Sequence, residues 1–236
     1  IKVFSKKQAD VYRLLGDVLR TQKRYKEGEA MFKTALEIKK DYSVALSGLG
    51  LLYLEEGRWK ESERNLSLAI EKDSTNIESK INLGLVYLNL KDYKKSQSAF
   101  ESALDLDPDR LETINNLGKL FIEMKKFEYA ESFLKRAEVV NNKRAEVKVN
   151  LGLVYYEMGR LEEAEIQLVS ALKIQPENLK IYLLLAAAYI KAGLYDQAEK
   201  ELHFVLRQDE KNEVALINLQ IISERRRLEL LKKNNE

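Results

Sequence analysis

Apolar and polar positions along this chain recur with a period of 34 residues: Gly16, Gly50, Gly84, Gly118 and Gly152 are spaced by that interval, and Ala186 holds the next place. A fixed period of this length marks an array in which each unit is one supersecondary element that buries its apolar face by stacking on its neighbours. The stretch 81–108, INLGLVYLNLKDYKKSQSAFESALDLDP, shows the unit. Its first ten residues are so apolar that the pattern alone admits helix or strand. The second half decides, because Tyr93, Phe100, Ala103 and Leu104 recur at helical spacing among Lys, Ser and Glu, as in an amphipathic helix. Lys91 and Asp92 make the short polar turn between the halves. Gly57, Gly159 and Gly193 stand at the same turn in their units, as expected just past a helix end. Each unit is therefore predicted to be a helical hairpin.

The units run 9–42, 43–76, 77–110, 111–144, 145–178 and 179–212, and one more helix over 213–236 caps the series. An all-α solenoid of stacked antiparallel hairpins, one array over 1–236, is expected in place of separate globular domains. A glycine inside a helix costs up to about 1 kcal/mol relative to Ala, so five of them need about 5 kcal/mol of compensation. Close packing supplies it: with Gly84 facing Ser96 and Ala103, two helix axes can approach and bring Leu83, Tyr87 and Phe100 into dense contact. Tyr25, Trp59, Tyr93, Phe127, Leu161 and Tyr195 share one place at the start of the second helix, so the lone Trp is assigned to packing and not to a ligand. The run Arg225-Arg226-Arg227 is read as part of a solvated capping helix, with a basic contact site as the alternative.

The order Leu-Gly, Tyr, small residue, aromatic or Leu, Ala and Pro appears as Leu83, Gly84, Tyr87, Ser96, Phe100, Ala103 and Pro108. It returns as Leu151, Gly152, Tyr155, Ala164, Leu168, Ala171 and Pro176. In this the chain resembles the tetratricopeptide repeat over nearly its whole length. Departures are small: Gly28 takes the small-residue place of the first unit, Lys40, Ser74, Asn142 and Glu210 replace Pro, and Val205 replaces Ala. The resemblance implies a right-handed superhelix whose concave channel, lined by the first helices, binds peptides.

At about 100° per residue, unit positions 3, 4, 7, 8, 11 and 14 form the hairpin core, and positions 2, 5, 6, 9, 12 and 13 lie opposite. From the second unit to the fifth the opposite face offers Leu51, Leu54, Ile81, Leu85, Leu88, Asn115, Lys119, Ile122, Val149, Leu153 and Tyr156. A contiguous exposed apolar strip of this kind marks an interaction surface. Beside it runs an amide ladder, Asn82, Asn116 and Asn150, able to pair with a peptide main chain while ignoring its side chains. These NLG triplets are similar to those in the repeat region of O-linked N-acetylglucosamine transferases. Glu55, Glu78, Glu112, Glu123, Glu146 and Glu157 form an acidic rim, and Lys180, Lys191 and Arg225 follow towards the C-terminal end. The expected partner is a protein or peptide with apolar anchors and basic flanks, the alternative being that these charges only keep the channel solvated. A branch of the family that grips acidic chaperone tails uses Lys at position 5 and Asn at position 9; those places are largely apolar here, which disfavours that partner.

Composition narrows the field further. The chain is 45% apolar and 33% charged with two prolines, a net charge of +2 and a mean hydropathy of −0.40. No global field favours nucleic acid. The absence of Cys excludes disulfides, thiolate zinc sites and cysteine nucleophiles and leaves cytoplasm and periplasm both open. No apolar run reaches the roughly 18 residues of a membrane span, and the opening IKVFSKKQAD lacks both the apolar core of a signal peptide and a starting Met. The chain is thus expected to be a processed protein or a segment of a longer one. His203 stands alone without a paired nucleophile, and no phosphate loop, metal spacing or nucleophile elbow accompanies it. The expectation is a non-enzymatic adaptor with no cofactor. The alternatives are a self-associating scaffold and the recognition arm of a larger enzyme such as an O-linked N-acetylglucosamine transferase.

Overall fold

The computed structural model describes residues 2–233, with side chains from 7 to 231; the last three residues of the expected capping segment lie outside them. Thirteen helices account for the described residues, and among these there is no strand: α1 (Lys2–Thr21), α2 (Tyr25–Ile38), α3 (Ser43–Glu55), α4 (Trp59–Lys72), α5 (Ile77–Asn89), α6 (Tyr93–Leu104), α7 (Leu111–Glu123), α8 (Phe127–Val140), α9 (Ala145–Glu157), α10 (Leu161–Ile174), α11 (Leu179–Ala192), α12 (Tyr195–Gln208) and α13 (Glu213–Lys233). The fold is all-α, of the solenoid class built from helical hairpins. The chain divides into two compact units, Ile1–Leu120 and Phe121–Glu236, with the division inside α7.

The tight turn inside each hairpin has one geometry throughout. The residue two places before the second helix takes a left-handed conformation, with φ between 73° and 77° at Gly57, Gly159 and Gly193. In the other three hairpins a lysine does the same, Lys23, Lys91 and Lys125, at 60°, 58° and 55°. The glycine signal therefore marks only half of the turns. The following backbone N–H reaches back five residues, as in Arg58 N to Tyr53 O at 2.9 Å and Asp92 N to Tyr87 O at 2.9 Å, which satisfies carbonyls that the helix end would otherwise orphan. Asn76 and Asp92 then cap α5 and α6, accepting from the Ser79 and Lys95 backbone N–H groups.

In the first unit the hairpins α1–α2, α3–α4 and α5–α6 stack in order, α2 on α3 and α4 on α5. Within a hairpin, a Cβ built at Gly84 would lie 2.5 Å from Phe100 Cε1, so this position admits no side chain as packed. Ser96 and Ser62, both fully buried, donate to the Gly84 and Gly50 carbonyls at 2.8 and 2.7 Å. Between hairpins, Phe32 is wedged against Gly16 of its own hairpin and Gly48 of the next, and Leu52 packs against Gly28. Leu52 represents unit position 10, which the helical-wheel assignment leaves unplaced. Leu52, Val86, Leu120, Val154, Ala188 and Ile222 are all buried there.

The second unit repeats the design with the hairpins α9–α10 and α11–α12, with α8 against α9, α10 against α11 and α12 against α13. Leu168, Leu185, Ala186, Tyr189, Leu202 and Ile222 belong to one continuous core there. Phe121 stacks on Tyr129 and Phe133 at 5.4 Å between ring centroids. Arg226 returns from α13 to α12, pairing with Asp196 at 2.6 Å and Glu199 at 3.1 Å, so the middle member of the basic run serves packing of the last helix. No helix among the described residues is long and apolar enough to cross a membrane, and no group of His, Asp and Glu among them is arranged to hold a metal ion.

Candidate functional site

In the first unit the expected face separates into two sets. Leu51, Leu54, Leu85 and Leu88, at positions 9 and 12, are half-exposed along α3 and α5, and Lys119 is half-exposed on α7. Ile81 is fully buried, and Asn82, Asn115 and Asn116 keep at most 9% of their surface, so the exposure expected of them on a helical wheel does not hold. The cause is stacking. First helices of successive hairpins touch, α1 with α3 and α3 with α5, and position 6 turns towards the preceding hairpin, as the Gly48–Phe32 contact shows. A wheel drawn for one isolated hairpin cannot include either effect. The accessible surface is a double row of two residues per first helix.

In the second unit an equivalent double row carries Ile122, Leu153 and Tyr156, all half-exposed, with Val149 and Asn150 also half-exposed at positions 5 and 6. Tyr156 is partly covered by Lys191, whose ammonium lies 4.5 Å from the ring centroid and donates to the Tyr156 carbonyl at 2.6 Å. Lys191 is thus engaged within the chain. The acidic rim is likewise uneven. Arg110 pairs with Glu78 and lies 3.9 Å from Glu112, and Arg20 pairs with Glu55. Glu146 is exposed and has a partner within the chain. Glu123 and Glu157 are exposed on the ends of α7 and α9 and, among the described residues, hold no ion pair.

A second polar arrangement escapes a sequence reading aimed at the channel. At each of four stacking junctions a Tyr at position 11 donates to a Glu at position 21 of the preceding repeat: Tyr53 to Glu29 at 2.9 Å, Tyr87 to Glu63 at 2.9 Å, Tyr155 to Glu131 at 3.3 Å and Tyr189 to Glu165 at 2.8 Å. At two junctions an arginine completes a clasp. Arg58 lies 4.1 Å from the Tyr53 ring centroid and donates to Glu29 at 2.9 Å, and Arg160 lies 4.5 Å from Tyr155 and donates to Glu131 at 2.7 Å. Burial opposes ionisation of Glu29, but hydrogen bonds from Lys33, Arg58 and Tyr53 outweigh it and lower its pKa to about 2. Burial, reinforced by the bond to Glu29, pushes Tyr53 up to about 12. A Tyr 24 residues after a Glu was the available signal. Where the series breaks in the sequence, Phe121 follows Gln97 at the same interval of 24 residues, so donor and charged acceptor are replaced together.

Models of the tetratricopeptide repeat match residues 7–74, 77–110 and 157–219. No curated relative matches the sequence at a significant level. Among solved structures, PilF of Pseudomonas aeruginosa is similar with a TM-score of 0.80 at 19% identity, over 94% of this chain and 99% of that one. PilW, described as a widely conserved type IV pilus biogenesis factor, is similar with a TM-score of 0.83 at 17% identity, over 91% of this chain and 97% of that one. YrrB, described as a tetratricopeptide repeat protein with an unusual peptide-binding site, gives 0.61 at 20% identity, over 78% and 95%. With three separate windows that together take in more than half of the sequence, and with the hairpin stack on which they fall, the chain belongs to the tetratricopeptide repeat family, as about six repeats followed by a capping helix.

Proposed function

We propose that the protein is a non-enzymatic adaptor that binds a peptide or helical segment of a partner protein on the double row of its first helices. The observation that carries this reading is the half-exposure of Leu51, Leu54, Leu85 and Leu88 in one unit, and of Ile122, Leu153 and Tyr156 in the other, beside neighbours that are fully buried. Full burial of such a side chain stabilises by about 1.5–3 kcal/mol. About two thirds or more of that is already realised in the fold, which leaves about 0.5–1 kcal/mol for each anchor. Four anchors give about 2–4 kcal/mol, whereas micromolar affinity requires about 8. Polar contacts must supply the difference, and the unpaired carboxylates Glu123 and Glu157 favour Lys or Arg beside the partner's apolar residues. Affinity capture from the native extract tests the reading: the double variant Leu85→Glu/Leu153→Glu should lose the captured partner while its circular dichroism stays unchanged. Retention of that partner by the folded variant refutes it.

Self-association is a second reading with its own observation. Val11, Leu14, Leu15 and Val18 on α1 are exposed, although their counterparts in the next repeat, Ala45, Gly48, Leu49 and Leu52, are buried. A second copy that presents a second-type helix would cover this stripe. Light scattering across a concentration series distinguishes the readings, since a mass that stays at the 27.4 kDa of the monomer removes the second.

A further inference from the structure

The clasp formed by Arg58 and by Arg160 is left incomplete between the hairpins α9–α10 and α11–α12. There Tyr189 donates to Glu165 at 2.8 Å as at the other junctions, but Leu194 stands in the place of the arginine, directly before α12 as Arg58 stands before α4 and Arg160 before α10. Position 25, which supplies Lys33 to Glu29 and Lys135 to Glu131, is Val169. Among the described residues Glu165 therefore has no cationic partner. In place of the guanidinium lies an open cleft of roughly 520 Å³, lined by Glu162, Glu165, Tyr189, Ala192, Leu194 and Arg160 among others. Arg160 does not neutralise it, because its guanidinium is already held by Glu131 at 2.7 Å and Glu163 at 2.6 Å. Glu162 and Glu165 thus leave the cleft with negative charge, next to the ring and the carboxylate that hold a guanidinium at two other places in this same chain.

We propose that this cleft is a receptor for an arginine side chain of a partner protein, a site apart from the double row of the first helices. The guanidinium stacks on the Tyr189 ring and donates to the Glu165 carboxylate, reproducing the arrangement that Arg58 and Arg160 make with Tyr53–Glu29 and Tyr155–Glu131. Leu194 and Ala192 give the methylene stem an apolar wall. Arginine is preferred over lysine because a planar fork satisfies a ring face and a carboxylate together, whereas an ammonium acts as a point charge.

The probe is the peptide acetyl-Gly-Arg-Gly-amide, titrated into the 15N-labelled protein and followed at the backbone amides of Gly159, Tyr189 and Leu194. We expect saturable shifts in the millimolar range, at least about tenfold weaker response to the citrulline peptide and about threefold weaker response to the lysine peptide. Glu165→Gln should weaken binding at least about fivefold. Leu194→Arg, which lets the chain fill the cleft with its own guanidinium, should abolish the response and raise Tm. No saturation by about 10 mM, equal response to citrulline or lysine, or undiminished binding by folded Leu194→Arg overturns the proposal. The variant Leu85→Glu/Leu153→Glu should keep the full arginine response, so failure of the adaptor surface and failure of this site are read separately.

Discussion

Replacing Gly84 by Ala sets two known effects against each other, and the sign of the result tests the packing argument. Helix propensity alone makes Gly→Ala stabilising by about 1 kcal/mol. Packing acts the other way: the new Cβ would fall 2.5, 2.6 and 2.9 Å from Phe100 Cε1, Cδ1 and Cζ, whereas carbon atoms at rest sit about 3.5–4 Å apart. Phe100 is fully buried, so its ring cannot swing into solvent, and α5 and α6 must separate by roughly 1 Å or the ring must leave its rotamer. Overpacking by one carbon costs about 1–3 kcal/mol, so the net change is a loss of up to about 2 kcal/mol. Gly84→Val adds two more carbons and forfeits most of the propensity gain, which takes the loss to about 2–4 kcal/mol. Urea unfolding followed by ellipticity at 222 nm gives the midpoints, and hydrogen exchange in α5 and α6 localises the change, since an array need not unfold in one step. A Gly84→Ala protein stabilised by about 1 kcal/mol would refute close approach as the reason for glycine here.

The turn lysines give a prediction of opposite sign. Lys91→Gly removes a side chain from a left-handed position at φ 58° and should stabilise by about 1 kcal/mol, read as a higher urea midpoint; the same change at Lys80, inside α5, should destabilise. The clasp predicts an acid dependence. Glu29 has its folded pKa depressed to about 2 from an ordinary 4.5, so its contribution is complete above pH 4.5 and is lost as pH falls towards 2. Glu29→Gln should flatten that part of the stability profile measured by thermal melts between pH 5 and 2. Tyr53→Phe with Glu29→Gln should lose less than the two single changes together, with a coupling of about 0.5–1.5 kcal/mol in a double-mutant cycle.

The repeat period, the hairpin and its core were legible in the sequence because they depend on spacing within one unit. Gly84, Ser96, Phe100 and Ala103 sit where their periodicity requires. What depended on the neighbouring unit was not legible. Ile81 and Asn82 point away from their own hairpin and are still covered, and Leu52 belongs to a contact with Gly28 that no single-helix wheel contains. Signs of those contacts were present at longer range, in the interval of 24 residues from Glu29 to Tyr53 and from Glu63 to Tyr87. The lysine turns were hidden for another reason: Lys23 and Lys125 carry no composition signal for a left-handed conformation, which the geometry of the hairpin imposes on them.

Phe32, shared between Gly16 and Gly48, also bears on how the array comes apart. In a chain of repeats, each hairpin has an intrinsic folding energy and each junction a coupling energy, and their ratio sets whether units melt singly or in blocks. A ring packed against glycines of two hairpins cannot lose one wall without exposing itself to the other side. The first two hairpins should therefore open as a single block, with matched exchange protection in α2 and α3, and fraying from that end should skip the intermediate in which only the first hairpin is lost.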